Sequence, residues 1–164
     1  SIDDRAPAGS LKTIDGKVGL IVVEGWCMGA RAENTQQLSQ PINSLEEQYD
    51  RDAIWRNHVN DALKNTYQPL FDLADSLIML QAPSFDTVYN WRLEQEQKMV
   101  KRLEKEGIDN RSGVMSEQQI LRFISFFQRV TENTLSEMPE RADHLFKLDH
   151  SRKITAYSQP SANS

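Results

Sequence analysis

The first strong pattern along the chain is an unbroken apolar run, Val18-Gly19-Leu20-Ile21-Val22-Val23, closed by Glu24 and Gly25. It is too short for an ordinary helix and rich in β-branched residues. It therefore predicts a strand over 18–24, buried on both faces as strands of parallel sheets are. Ser76-Leu77-Ile78-Met79-Leu80 predicts a second buried strand. Two further strand candidates, 142–148 and 153–157, flank the turn Asp149-His150-Ser151-Arg152.

Helical periodicity fills the space between. Ser44-Leu45-Glu46-Glu47 reads as a capping box opening a short helix to Asp50. Trp55, Val59, Ala62 and Leu63 recur at helical spacing through Tyr67, with Pro69 marking a boundary. Ser84 caps a long helix to about Glu106, stopped by Gly107. Its stripe of Phe85, Val88, Tyr89, Met99 and Leu103 is interrupted by Arg92, Gln95 and Glu96. Polar residues on an inward face need partners. An Arg92–Glu96 pair at i, i+4 supplies one account and a ligand cleft the other. Ser116-Glu117-Gln118-Gln119 caps another helix, with Ile120, Phe123, Ile124, Phe127 and Val130 on a core face and Pro139 at its end. The segments 1–17, 32–40 and 108–114 read as polar loop or surface. Residues 1–157 form one domain, and 158–164 a mobile tail.

This order predicts an α/β layer architecture, a parallel sheet flanked by helices. Only two strands are of core grade, so the sheet is thin and the chain reads as part of a larger fold. Exposed strand edges of such a fold favour self-association into a homo-oligomer.

Composition narrows the function. The chain has 164 residues and a net charge of -5, with no basic face for nucleic acid. No apolar run is long enough for a membrane span. The single Cys27 cannot form an intrachain disulfide, which fits a cytoplasmic setting, and it reads as a packing residue. His58, His144 and His150 are scattered without metal-ligand spacing. There is no nucleophile elbow and no dinucleotide fingerprint. The one Gly-Lys pair, Gly16-Lys17, has Leu11 where a phosphate loop needs its first Gly and Val18 where it needs Ser or Thr.

What the chain does offer is an acid at a strand end, Glu24, and a Gly-rich turn carrying Arg31. It also has a polar helix start at Asn43-Ser44 and an arginine inside the long helix, Arg92. Planar guanidinium groups bind phosphate and carboxylate bidentately. A carboxylate at a strand end suits Mg²⁺, which takes oxygen ligands and keeps several waters. Together these are parts of a phosphoryl-transfer site.

Glu24-Gly25-Trp26-Cys27-Met28-Gly29-Ala30-Arg31 resembles the EGWxxGxR signature of bacterial D-glycerate 3-kinases and their relatives, a branch of the P-loop kinases near pantothenate and uridine kinases. The resemblance continues in order through Pro41–Glu46, Trp55–Asn60, Leu80–Phe85, Trp91–Glu96 and Met138–Asp143. It implies ATP-dependent transfer of phosphate to the 3-hydroxyl of D-glycerate, with Mg²⁺. It further implies that Glu24 is the Walker-B-type catalytic acid and metal ligand, and that Arg92 is a lid-like catalytic arginine. Arg31 and Asn43 would lie beside the acceptor pocket. Such kinases also carry a phosphate loop and a second acid upstream of the region that Asp3-Asp4-Arg5 continues, and neither is in this chain. The chain thus resembles the carboxyl-terminal part of such a kinase and is expected to be inactive alone. Two alternatives stand beside this: a non-catalytic remnant acting as a binding module, and a kinase for a pantothenate- or nucleoside-like alcohol.

Overall fold

The computed structural model describes residues 9–10, 15–107 and 113–160. The expectations for Asp3-Asp4-Arg5, for Leu11, for 108–112 and for 161–164 lie outside these residues. Short helices come first: α1 (Thr35–Leu38), α2 (Ser44–Tyr49), α3 (Ile54–Ala62), a π-helical segment (Leu63–Tyr67) and α4 (Gln68–Phe71). Strand β1 (Ile78–Gln81) leads to the long α5 (Phe85–Lys105), then α6 (Glu117–Ser125) and α7 (Gln128–Arg141). Strands β2 (His144–Leu148) and β3 (Ile154–Ser158) close the order.

The sheet runs β1-β2-β3. β1 and β2 are parallel, with Met79 opposite Leu145, whereas β2 and β3 form an antiparallel hairpin with Phe146 opposite Tyr157. The sheet is therefore mixed, not wholly parallel as the pattern implied. A connection of only a few residues between β2 and β3 permits nothing but antiparallel return. Met79 and Leu145 pack on Met138 and Ala142 of the α7 end, with Leu77 and Leu135 beside them. Ile120 and Ile124 of α6 are fully buried.

Several expectations change. The run 18–24 is not a strand in the structure. It is irregular and open to solvent, with Leu20, Ile21 and Val22 each at least 76% exposed. β-propensity fits a residue to a pleated, half-buried surface but does not supply the ladder. No strand among the described residues pairs with this run. The strand expected from Ser76 begins only at Ile78, whose side chain is exposed along with Leu80.

Helix boundaries also move. Asn43, not Ser44, caps α2: its side chain accepts from Glu46 N at 3.0 Å. Glu46 reaches back to Ile42 N at 3.1 Å. Asn is as good a cap as Ser, so the two adjacent residues compete and geometry decides. Pro69 does not end its helix. Through the π segment, Gln68 N–H bonds Leu63 O, and Pro69 then falls in the first turn of α4, where its missing N–H is not needed. Pro139 lies inside α7, near its end. The carbonyl it leaves without a helical donor, Leu135 O, takes Gln81 Nε2 at 3.5 Å. The core helix opened by Ser116 is two helices, broken at Phe126-Phe127, and Phe123 is 38% exposed. The polar segment 32–40 contains α1 with an Asn34–Gln37 capping box and a buried Leu38. Ser84 and Gly107 bound α5 as read, Gly107 at φ +66°. The tail reading gives way at Ser158, which ends β3.

Candidate functional site

The turn Gly25–Arg31 is the hinge of the site, and α7 fixes it. Met28 N bonds Gly25 O and Ala30 N bonds Cys27 O, giving tight consecutive turns. Gly29 adopts φ +73°, and a Cβ there would meet Leu77 Cδ1 at 2.9 Å, so both conformation and space require glycine. Arg141 donates to Gly29 O, and Asn133 Nδ2 donates to Arg31 O at 2.9 Å. Trp26 stacks on Phe127 with ring centres 5.1 Å apart and donates its indole N–H to Thr131 Oγ1 at 2.8 Å. Burial pushes the thiol of half-buried Cys27 above its ordinary pKa, in keeping with a packing role.

This turn separates two concavities. One, of about 370 Å³, lies between α2, α3 and the α6–α7 junction, and Arg31 is on its wall. Two buried ion-pair networks build that wall. Arg129 of α7 bonds Glu46 at 2.6 and 2.8 Å and Glu33 at 3.2 Å, and donates to the carbonyls of Gln37 and Gln40. The bond to Glu46 holds its pKa above the ordinary arginine value, against the opposing effect of partial burial. Arg56 donates to Leu38 O and Asp50 O and pairs with Asp50 at 3.3 Å. Asp50 in turn accepts from the amides of Trp55 and Arg56, serving the start of α3 where Ala53 at φ +59° offers no side-chain cap. Buried charges of this kind are tolerable because their polar atoms are satisfied.

The second concavity, of about 480 Å³, runs beside α5 and is lined by Trp26, Trp91, Arg92, Lys98 and Arg152, among others. Arg92 Nη1 pairs with Glu96 at 2.7 Å, and its guanidinium stands 5.8 Å over the Phe123 ring. Glu96, only 3% exposed, also accepts from Met115 N at 2.6 Å. Arg92 thus makes the local i, i+4 pair and also lines the concavity. Arg152 lies 5.2 Å over Trp91 and pairs with Glu94, which Lys98 also pairs. The hydrogen bond from Lys98 comes first and that from Arg152 second in holding the Glu94 carboxyl below its usual range.

The expected site residues are thus dispersed. Arg31 lies in the first concavity and Arg92 in the second. Asn43 is engaged structurally, capping α2 and donating to Ser125 O and Gln128 Oε1 at 3.1 Å each. Glu24 is exposed and lines neither concavity. Among the described residues no cluster of three or more His, Cys, Asp or Glu is placed to hold a metal ion. Arg122 and Arg129 were not among the candidates. The signal for Arg129 was present in the sequence: a charged residue between Phe127 and Val130, in the apolar stripe of a helix. No helix among the described residues is long and apolar enough to cross a membrane.

The fold is α/β, a small mixed sheet flanked by helices, and it matches the carboxyl-terminal part of a P-loop kinase fold. In particular, the structure is similar to that of D-glycerate 3-kinase from Cryptococcus neoformans var. grubii. The TM-score is 0.67 at 20% identity, over 89% of this chain and 51% of that one. In sequence the chain is similar to an uncharacterized kinase, mug58, of Schizosaccharomyces pombe, being 31% identical over 108 residues. That match covers 65% of this chain and 35% of the relative, so the chain spans about a third of the curated protein it matches. No protein-family model matches the chain.

Proposed function

We propose that this chain carries the acceptor side of an ATP-dependent kinase of a small hydroxy acid, the reading the resemblance to D-glycerate 3-kinases suggests. The observation that carries it is the Gly25–Arg31 turn. One end presents Trp26 to a cleft bordered by arginines and a lysine, and the other presents Arg31 to a separate pocket. A phosphotransferase needs such a division, one place for a polyphosphate and another for the alcohol that attacks it.

In this reading Arg31 binds the carboxylate of the acceptor. Its backbone is pinned by Asn133, so the guanidinium starts from a fixed anchor. Arg92 bonds Glu96 through Nη1 alone, and its other nitrogens have no bond among the described residues. They are available to a phosphate in the cleft. Mg²⁺ is held in such sites by one or two carboxylates with substrate phosphates and water. Glu24, exposed just before the turn, fits the part of one such carboxylate. Mg²⁺, when bound with ATP, supplies charge neutralisation at the transferring group. Asn43 acts indirectly, by holding α2 against the α6–α7 junction at the pocket's rim. The cytoplasm is the proposed setting.

The chain holds no G-x-x-x-x-G-K-[ST] loop. That favours a second reading for the chain by itself, a binding module without catalysis. Calorimetry with Mg-ATP and with D-glycerate, and a coupled kinase assay, separate the two properties. The expected result is no turnover, ATP binding absent or weak, and glycerate binding near millimolar, about 4 kcal/mol. Arg31→Ala is expected to remove the glycerate signal. Micromolar ATP binding or measurable turnover contradicts the assignment of this chain to the acceptor side alone.

A further inference from the structure

We propose that the Arg31 pocket selects a hydroxy acid with an apolar branch, bulkier than glycerate, and that Arg122 shares the binding of its carboxylate. The proposal rests on the acceptor-pocket reading above and adds the class of acid and a second recognition residue.

Size and lining come first. The cavity of about 370 Å³ falls in the range of sites that enclose ligands of ordinary drug size. A three-carbon acid fills only a fraction of it. Leu45, Trp55, Val59, Leu63, Phe126 and Val130 all border the space. Glycerate carries oxygen on every carbon and has no methyl group to place against these side chains. Two added methyl groups that reach such a surface raise affinity by about tenfold. Leu63 opens the π-helical segment, an irregularity that occurs often at functional sites.

The charges then divide into two sets. Arg56 and Arg129 are occupied inside the wall by Asp50, Glu33 and Glu46. Arg31 and Arg122 border the same space and pair with no carboxylate among the described residues. Arg122 lies over two aromatic rings, its guanidinium carbon 5.1 Å from the Tyr49 ring centre and 6.0 Å from that of Phe126. A cation–π contact engages the charge of the guanidinium and uses no conventional hydrogen bond, so its N–H donors remain available to fork onto a carboxylate. An acid seated here sets its carboxylate at the two arginines and its branch against Leu63 and Val59.

The test compares 3-hydroxy-2,2-dimethylpropanoate, its methyl ester and D-glycerate, each titrated into the 164-residue chain and followed by the Trp55 indole resonance. The dimethyl acid is expected to bind about tenfold more tightly than D-glycerate. Arg122→Met is expected to weaken the acid about tenfold and leave the ester unchanged, with a melting temperature lowered by no more than a few degrees because Arg122 is exposed and, among the described residues, makes only ring contacts. If D-glycerate binds as tightly as the dimethyl acid and Arg31→Ala abolishes it, the size selection is wrong and the acceptor pocket stands. If Arg122→Met has no effect on the acid, its recognition role is wrong. If neither acid moves Trp55, both the selection and the acceptor reading fall.

Discussion

The segment 18–23 and the wall of the Arg31 pocket make an instructive pair. The first is the most apolar stretch of the chain, and its side chains are largely in solvent. The second is dense in charge, yet Asp50, Arg56 and Arg129 are each no more than 8% exposed. Hydrophobic burial is non-directional and needs only apolar area opposite, which the run does not find among the described residues. Charge burial is demanding, but it can be completed locally by a few well-aimed groups. Arg129 draws Glu33, Glu46 and two carbonyls from a segment about ninety positions earlier, closing the wall without help from the sheet. Order in this chain follows the completeness of partners more than hydrophobicity.

The sharpest way to break that contrast is to remove the hub of the wall. Arg129→Met leaves two half-buried carboxylates, each 12% exposed, without their cation and should cost about 2–4 kcal/mol, read by urea denaturation. A loss below about 1 kcal/mol would show that the network is not what orders the wall. Next in size is Gly29→Ala, which places a Cβ 2.9 Å from Leu77 in a left-handed backbone. It should cost about 1–3 kcal/mol and weaken ligand binding at Arg31, because the turn carries that residue.

Asn43→Ala removes the α2 cap and the bonds to Ser125 and Gln128. A loss of about 1–2 kcal/mol is expected from the melting curve. Asn43→Asp, which keeps the cap acceptor, should recover part of it. Smallest of all is Val22→Thr in the exposed run, expected to stay within about 0.5 kcal/mol of the parent. A large loss there would mean that the run is buried in solution, and the comparison would reverse.

What the sequence made legible follows the same division. Elements with local signals were readable: Ser84 and Gly107 bounding α5, Ser116 with Gln119 opening α6, and the 149–152 turn between β2 and β3. The two prolines misled because the relief of each lies elsewhere, a π turn before Pro69 and Gln81 opposite Pro139. The strand over 18–24 misled because a strand is a property of a pair. At the site, the glycine and arginine of the Gly25–Arg31 turn could be singled out from their motif. The wall could not, because Glu33, Glu46 and Arg129 are ordinary surface residue types until the fold brings them within hydrogen-bonding distance. Arg122 was hidden for a similar reason, since only the fold shows that the Tyr49 ring comes to lie beneath it.

In the proposed reading, acid and phosphate have separate places on either side of the Gly25–Arg31 turn. The three tryptophans report it, Trp55 in the pocket and Trp26 and Trp91 in the basic cleft. In ¹⁵N-labelled protein, titration with D-glycerate should move the Trp55 indole resonance and leave Trp26 and Trp91 in place. Tripolyphosphate should do the reverse, and Arg92→Ala should abolish its effect. A hydroxy acid that moves Trp26 and Trp91 while Trp55 stays unmoved would contradict the assignment of the two sites.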